Sequence, residues 1–319
     1  MKKPRAVDDI LSSLEELSSS LKSIFVARDD QIDDMIVAAV AQEPLLFVGP
    51  PGTGKSDLVR QFTALLSLDV NEYFEYALTR FTEPSEILGP LDLKRMKAGE
   101  FFRRISGKLP EARIAFLDEI FKSNSAILNT MLTILNEKKF YQDGKPTPVP
   151  LKILFAATNE IPTHHELDAL KDRFILKVRV SRVPEDQWDL LIMRGLQNEQ
   201  SRYFRQQRFP EPFLEMGDFE VLYEHLMNSL TPLCQEGRDP LFPEPVFLEW
   251  KRLLKTIIHD FEIELSDRKI LKMYKLLRTR ALIKRGGTVE AEDFSLLTHL
   301  GNHEEEMDFL KEKLPSVLT

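Results

Sequence analysis

Residues 49 to 56 read GPPGTGKS, directly after the apolar run Leu45-Leu46-Phe47-Val48 and ahead of the helical stretch Asp57 to Leu66. No other feature constrains the fold as tightly, because G-x-x-x-x-G-K-[ST] works where a strand hands over to a helix. Glycine at Gly49 and Gly54 lets the backbone turn so that successive N–H groups point inward at phosphate oxygens, and the helix N-terminus adds its positive dipole end. Lys55 can then reach the β- and γ-phosphates, while the Ser56 hydroxyl can ligate Mg²⁺. The candidate binding set is the whole loop: Gly49, Pro50, Pro51, Gly52, Thr53, Gly54, Lys55 and Ser56, with Asp57 opening the helix.

Two more apolar runs follow, Arg113-Ile114-Ala115-Phe116-Leu117 and Lys152-Ile153-Leu154-Phe155-Ala156-Ala157, each set off by helix-like segments. Strands that alternate with helices argue for an α/β fold with a parallel sheet covered on both faces. Ahead of the first strand, Ile10, Leu11, Leu14, Leu17, Leu21 and Ile24 recur at helical spacing, which predicts an N-terminal helix over about residues 8–25 packed on its own domain. A second helix is expected near Gln31 to Ala41. After about Pro184 the strand-like runs stop, and helical segments with loops such as CQEGRDPLFPEP take over. A chain of 319 residues suits two domains, so residues 1–183 are expected to form the α/β core and 184–319 a smaller all-α domain.

The second strand delivers Asp118 and Glu119 to the sheet edge where the phosphate loop lies, the edge at which open α/β sheets bind ligands. Asp118 is placed to hold a magnesium shell together with Ser56, and Glu119 to orient and polarise an attacking water. The third strand ends at Thr158-Asn159, where a neutral amide either bonds phosphate and water or caps the turn before Pro162. Arg173, in LDALKDRF, reads from its residues as half of a surface ion pair with Asp172. Arg268, in LSDRK, reads as an exposed first-turn arginine of a helix Lys269 to Leu282 that Ser266 opens as N-cap.

Composition narrows the partners. Hydrophobic residues make up 43 % and charged residues 29 %, which excludes a disordered chain. Acidic residues outnumber basic ones 51 to 43 for a net charge of -8, so there is no broad positive field and nucleic acid is not the expected partner. The single cysteine, Cys234, fits a reducing compartment, and no apolar run approaches the roughly 20 residues that span a bilayer. The expectation is a soluble, cytoplasmic protein.

With these residues placed, the chain resembles the MoxR family of AAA+ ATPases, most closely its RavA-like branch, over about residues 20 to 300. The resemblance rests on GPPGTGKS, FTEPSEILGPLDL, the long string LPEARIAFLDEIFKSNSAILNTMLTILNEKKF, LFAATNEIP and LDALKDRF, in that order. It implies ATP with Mg²⁺ as cofactors, and it gives the all-α region the place of the AAA+ lid. It makes Asn159 similar to the family's sensor 1, Arg173 to the arginine finger that reaches a neighbour's ATP, and Arg268 to sensor 2. A finger acting in trans implies a ring, usually hexameric. Gly89 to Lys108 and the hairpin Lys139 to Leu151, turning at Asp143-Gly144, match the insertions of the helix-2-insert group, which tend to face pore and partners. The stretch given ends at Thr319, where RavA-like chains often continue, so an activity of such a further domain is not expected of it.

The function this resemblance implies is ATP hydrolysis in a ring that remodels or activates a protein partner, typically one with a von Willebrand factor A domain. A nucleic-acid motor, with Arg103, Arg104 and Lys108 lining a pore, a subunit of a metal chelatase, and a nucleotide switch with negligible turnover are the alternatives. The base of the nucleotide is expected near the backbone of Phe25 to Arg28, which carries no side-chain code.

Overall fold

The protein is described here from a computed structural model covering residues 5–164, 167–204 and 212–317. The chain opens with helices α1 (Val7–Ile24) and α2 (Asp29–Ala41), followed by β1 (Leu45–Val48) and α3 (Lys55–Ala64). The sequence then runs through β2 (Leu66–Ser67), β3 (Tyr73–Ala77), α4 (Pro84–Leu88), α5 (Leu93–Lys97) and β4 (Ile114–Asp118). Helix α6 (Ser125–Glu137) leads into the hairpin β5 (Lys139–Gln142) and β6 (Lys145–Pro148), and then come β7 (Ile153–Thr158), α7 (Asp168–Lys171) and β8 (Leu176–Arg179).

Strands β3, β4, β7, β1 and β8 lie in that order in one sheet, every neighbouring pair parallel. The three central strands are the three apolar runs of the sequence, and alternate side chains go to opposite faces. Leu45, Phe47, Ile114, Phe116, Ile153 and Phe155 enter one core, while Leu46, Val48, Ala115, Leu117, Leu154 and Ala156 enter the other. Helices α1, α2 and α3 cover the first face, with Phe62 of α3 edge-on to Phe155 at 5.4 Å. Ile127, Met131 and Ile134 of α6 cover the second.

The two edge strands are additions to the sequence expectation. β3 reads YFEYA and β8 reads LKVR, so charged residues interrupt both runs.

After β8 the described chain is helical except for β9 (Leu214–Glu215), a two-residue strand parallel to β2. The helices are α8 (Trp188–Tyr203), α9 (Met216–Ser229), α10 (Thr231–Glu236), α11 (Glu244–Lys255), α12 (Asp267–Arg285) and α13 (Glu304–Val317), with a 3₁₀ segment, Ala291–Leu300, before the last. Phe219 and Leu222 of α9 and Met273, Leu276 and Leu277 of α12 join the same core as α1 and α2, so that core continues past residue 183. Helix α12 is also longer at both ends than the expected Lys269 to Leu282, and Ser266 caps it by accepting from the Lys269 N–H.

Both insertions form and they touch. Leu91 and Arg103 make an antiparallel bridge beside α5. The hairpin turns at Asp143-Gly144 as expected, and the Asp143 N–H donates to the Phe101 carbonyl while the Phe101 N–H donates to the Asp143 carboxylate.

Candidate nucleotide site

Three adjacent strands of a parallel sheet end side by side, and here those ends carry the candidate residues: the loop after β1, Asp118 at the end of β4, and Asn159 just past β7. Gly49 must be glycine for a local reason, since a Cβ there would sit 2.1 Å from the Val180 carbonyl oxygen. Gly54 caps α3 in the left-handed region at φ 84°, where other residues pay a steric cost. The first-turn N–H groups of α3 therefore face the loop with no carbonyl of their own helix to donate to, which is how a helix start holds phosphate.

The acidic pair is ordered by contacts from three directions. Ser56 Oγ donates to Asp118 Oδ2 at 2.8 Å, and the Glu119 N–H donates to Asp118 Oδ1 at 2.9 Å. Glu119 sits in the left-handed region at φ 54°, a conformation that costs a non-glycine residue about 1–2 kcal/mol. Its carboxylate accepts from Asn159 Nδ2 at 2.5 Å and pairs with Lys122 at 3.1 Å. The other end of the same amide, Asn159 Oδ1, accepts from Lys55 Nζ at 3.3 Å, and Lys55 also donates to the carbonyls of Gly49 and Pro50 at 2.6 and 3.0 Å. Lys55, Ser56, Asp118, Glu119 and Asn159 thus form one continuous chain of contacts. Lys55 is 7 % exposed, and burial lowers its proton affinity below the ordinary lysine value, a pull that the charges of Asp118 and Glu119 oppose.

The donor set fits magnesium. A hydroxyl and a carboxylate already in contact supply the hard oxygen ligands that Mg²⁺ takes, leaving the rest of its shell to water and phosphate.

A cavity of about 400 Å³ adjoins the loop between Phe25, Val26, Gly52, Trp188 and Leu191, so the segment expected near the base does line a pocket. Arg28 is a residue that sequence reasoning passed over. Only 6 % exposed, it donates to the carbonyls of Ala27, Thr53 and Ser181 and so ties the N-terminal segment, the phosphate loop and the end of the sheet together. Arg194 of α8 does the same on the far wall, donating to the carbonyls of Lys22 and Phe25. Carbonyl capture by arginine has no sequence signature, which is why neither stood out.

The two candidate arginines lie elsewhere. Asp172 does not pair with Arg173, as the sequence suggested; it accepts from Ser266 and from Arg268 at 2.6 Å, because the start of α12 packs over it. Arg173 Nε and Nη1 are buried and have no hydrogen-bond partner among the described residues. Neither arginine is bonded to the five-residue chain of contacts.

Residues 12–215 match the family described as the MoxR domain in the MoxR-vWA-beta-propeller ternary systems, and residues 249–313 match an AAA lid domain. The chain belongs to the MoxR family of AAA+ ATPases. Among relatives, two uncharacterized proteins of Methanocaldococcus jannaschii are each 32 % identical, one over 298 residues covering 92 % of this chain and 71 % of the relative, the other over 288 residues covering 90 % and 70 %. Chaperone MoxR1 of Mycobacterium tuberculosis is 24 % identical over 225 residues, 69 % of this chain and 55 % of that protein. The crystal structure of a Cytophaga hutchinsonii protein described as a candidate ATPase superposes with a TM-score of 0.69 at 16 % identity, covering 98 % of this chain and 95 % of that one, a likeness of fold. MoxR-family membership accounts for the parallel sheet and the helical C-terminal part alike.

Proposed function

We propose that this MoxR-family chain, of the RavA-like branch, binds ATP with magnesium and hydrolyses it in a hexameric ring, to remodel or activate a partner bearing a von Willebrand factor A domain. The observation that carries hydrolysis is the contact chain from Lys55 through Asn159 to Glu119, beside Ser56 and Asp118. The loop N–H groups and Lys55 bind the phosphates, and Ser56 and Asp118 hold the metal. Magnesium, when bound, supplies positive charge to the phosphate oxygens as negative charge develops on them. Glu119 orients water and takes up its proton at the carboxylate that Asn159 and Lys122 now hold. Asn159, neutral and bonded at both ends, keeps Lys55 and Glu119 at a fixed separation. The cavity beside Phe25 and Val26 takes the base.

Arg173 is the finger in this reading, its Nε and Nη1 lacking an acceptor among the described residues, and Arg268 is sensor 2, held by Asp172 on the side of the lid. The partner class is supported by the von Willebrand element in the matched family's description. No helix of the described residues is long and apolar enough to cross a membrane, in keeping with a cytoplasmic site of action.

Replacing Glu119 by Gln tests the core of this. Steady-state phosphate release should fall at least about 100-fold while ATP affinity is retained, since the lost group acts on the water and not on the nucleotide. An unchanged rate removes Glu119 from the chemistry and leaves a nucleotide-driven switch as the function.

A further inference from the structure

The tip made by the two insertions gathers unpaired cations and exposed apolar side chains on one surface. Several arginines elsewhere find carboxylates: Arg60 has Glu75, Arg113 has Glu72 and Glu220, and Arg179 has Glu304 and Asp308. At the tip Lys94, Arg95, Lys97, Arg104 and Lys139 are all exposed, and none is ion-paired among the described residues. Of the nearby acids, Asp92 accepts from the N–H groups of Lys94 and Arg95 and Asp143 from that of Phe101, which leaves exposed Glu100 as the one acid among five cations.

Apolar groups are interleaved with these cations. Helix α5 buries none of its residues, and Leu93, Met96, Phe101 and Tyr141 are 62, 40, 60 and 52 % exposed. Lys139 and Tyr141 share the outer face of β5, because Phe140 between them turns into the core. The contacts between Phe101 and Asp143 hold helix and hairpin together, so both sets of groups belong to one surface.

We infer that this tip docks an acidic, extended segment of a protein partner that also carries leucine or phenylalanine side chains. This rests on the remodelling function proposed above and gives its partner a chemistry. Carboxylates answer the free cations on a chain whose net charge is otherwise -8, and apolar side chains cover Leu93, Met96 and Phe101. A duplex phosphate backbone would answer the cations and leave those apolar groups in water, and the bases of a single strand, which stack on aromatic rings, would cover Phe101 and Tyr141 but not the aliphatic Leu93 and Met96.

The test uses the full chain and three fluorescein-labelled probes: a peptide alternating Asp or Glu with Leu or Phe, the same peptide with Ser in place of Leu and Phe, and a single-stranded oligonucleotide. Fluorescence anisotropy should show the first probe binding tightest, with its Kd weakened about tenfold or more by the double variant K94E/R104E and also by L93S/M96S, and weakened by added salt. ATP turnover without peptide and the mass of the assembly should stay as in the unaltered protein. Equal binding of the serine peptide, tighter binding of the oligonucleotide, no peptide binding, or indifference to both variants overturns the inference. A smaller assembly in K94E/R104E also overturns it, marking the tip as a contact between copies. The Glu119→Gln assay does not involve the tip, so a failure of the ATP hydrolysis on which the remodelling reading rests is seen separately from a failure of the docking surface.

Discussion

The nucleotide end of the sheet and the insertion tip both concentrate charge, and they treat it in opposite ways. At the sheet end each charged group is held by at least two others, and Glu119 is kept in a left-handed backbone conformation to stay in reach of Asn159. At the tip the cations lack ion-pair partners among the described residues, three of them on a short helix that buries none of its residues, where the Arg95 guanidinium lies 4.3 Å over the Phe102 ring. Placement by the fold is what chemistry on a fixed phosphate needs. A surface left unsatisfied by its own chain is what a contact with another molecule needs.

If this contrast is right, single-atom changes should break the sheet end and leave the tip intact. The largest effect is expected for Gly49→Ala, whose Cβ would have to displace the Val180 carbonyl; we expect a loss of about 3 kcal/mol or more, read as a fall in thermal midpoint with loss of nucleotide binding. Asn159→Ala should lower kcat about 10- to 100-fold with little change in KM, because it frees Glu119 and Lys55 together; an unchanged kcat would reduce the amide to a turn cap.

In the seam where β8 meets the lid, Lys177 is fully buried with no hydrogen-bond partner for Nζ among the described residues, and burial drives its pKa well below the ordinary lysine value. The unfolded chain therefore binds the proton more readily, so stability should rise with pH toward the unfolded lysine value and be lost as pH falls through the folded one. Lys177→Met should stabilise the protein at neutral pH by about 1–3 kcal/mol and flatten that pH dependence in urea titrations. The smallest effect belongs to the tip: Lys94→Ala and Arg95→Ala should shift stability by no more than about 0.5 kcal/mol, and a larger shift would mean the tip is part of the folded core.

What the sequence could reveal followed from how each element is stabilised. β1, β4 and β7 are buried on both faces and read as unbroken apolar runs. β3 and β8 are edge strands, and Glu75 and Lys177 interrupt their runs, so a sheet of five looked like a sheet of three. The phosphate loop and the acidic pair were legible because their chemistry fixes residue type and spacing together. Asp172 was misassigned because its neighbour in sequence was visible and its partners Ser266 and Arg268, nearly a hundred residues away, were not. Arg28 and Arg194 were invisible since a carbonyl acceptor can belong to any residue.

The same two arginines set how motion could travel through the molecule. Arg28 ties the Ser181 carbonyl to the phosphate loop, so a pivot of α8 that keeps these bonds begins beyond Ser181. Because Arg194 of that helix grips the carbonyls of Lys22 and Phe25, any such pivot pulls on the wall against which a base would rest. Base and helix would then report on each other reciprocally, each altering the free energy of the other's position by the same amount.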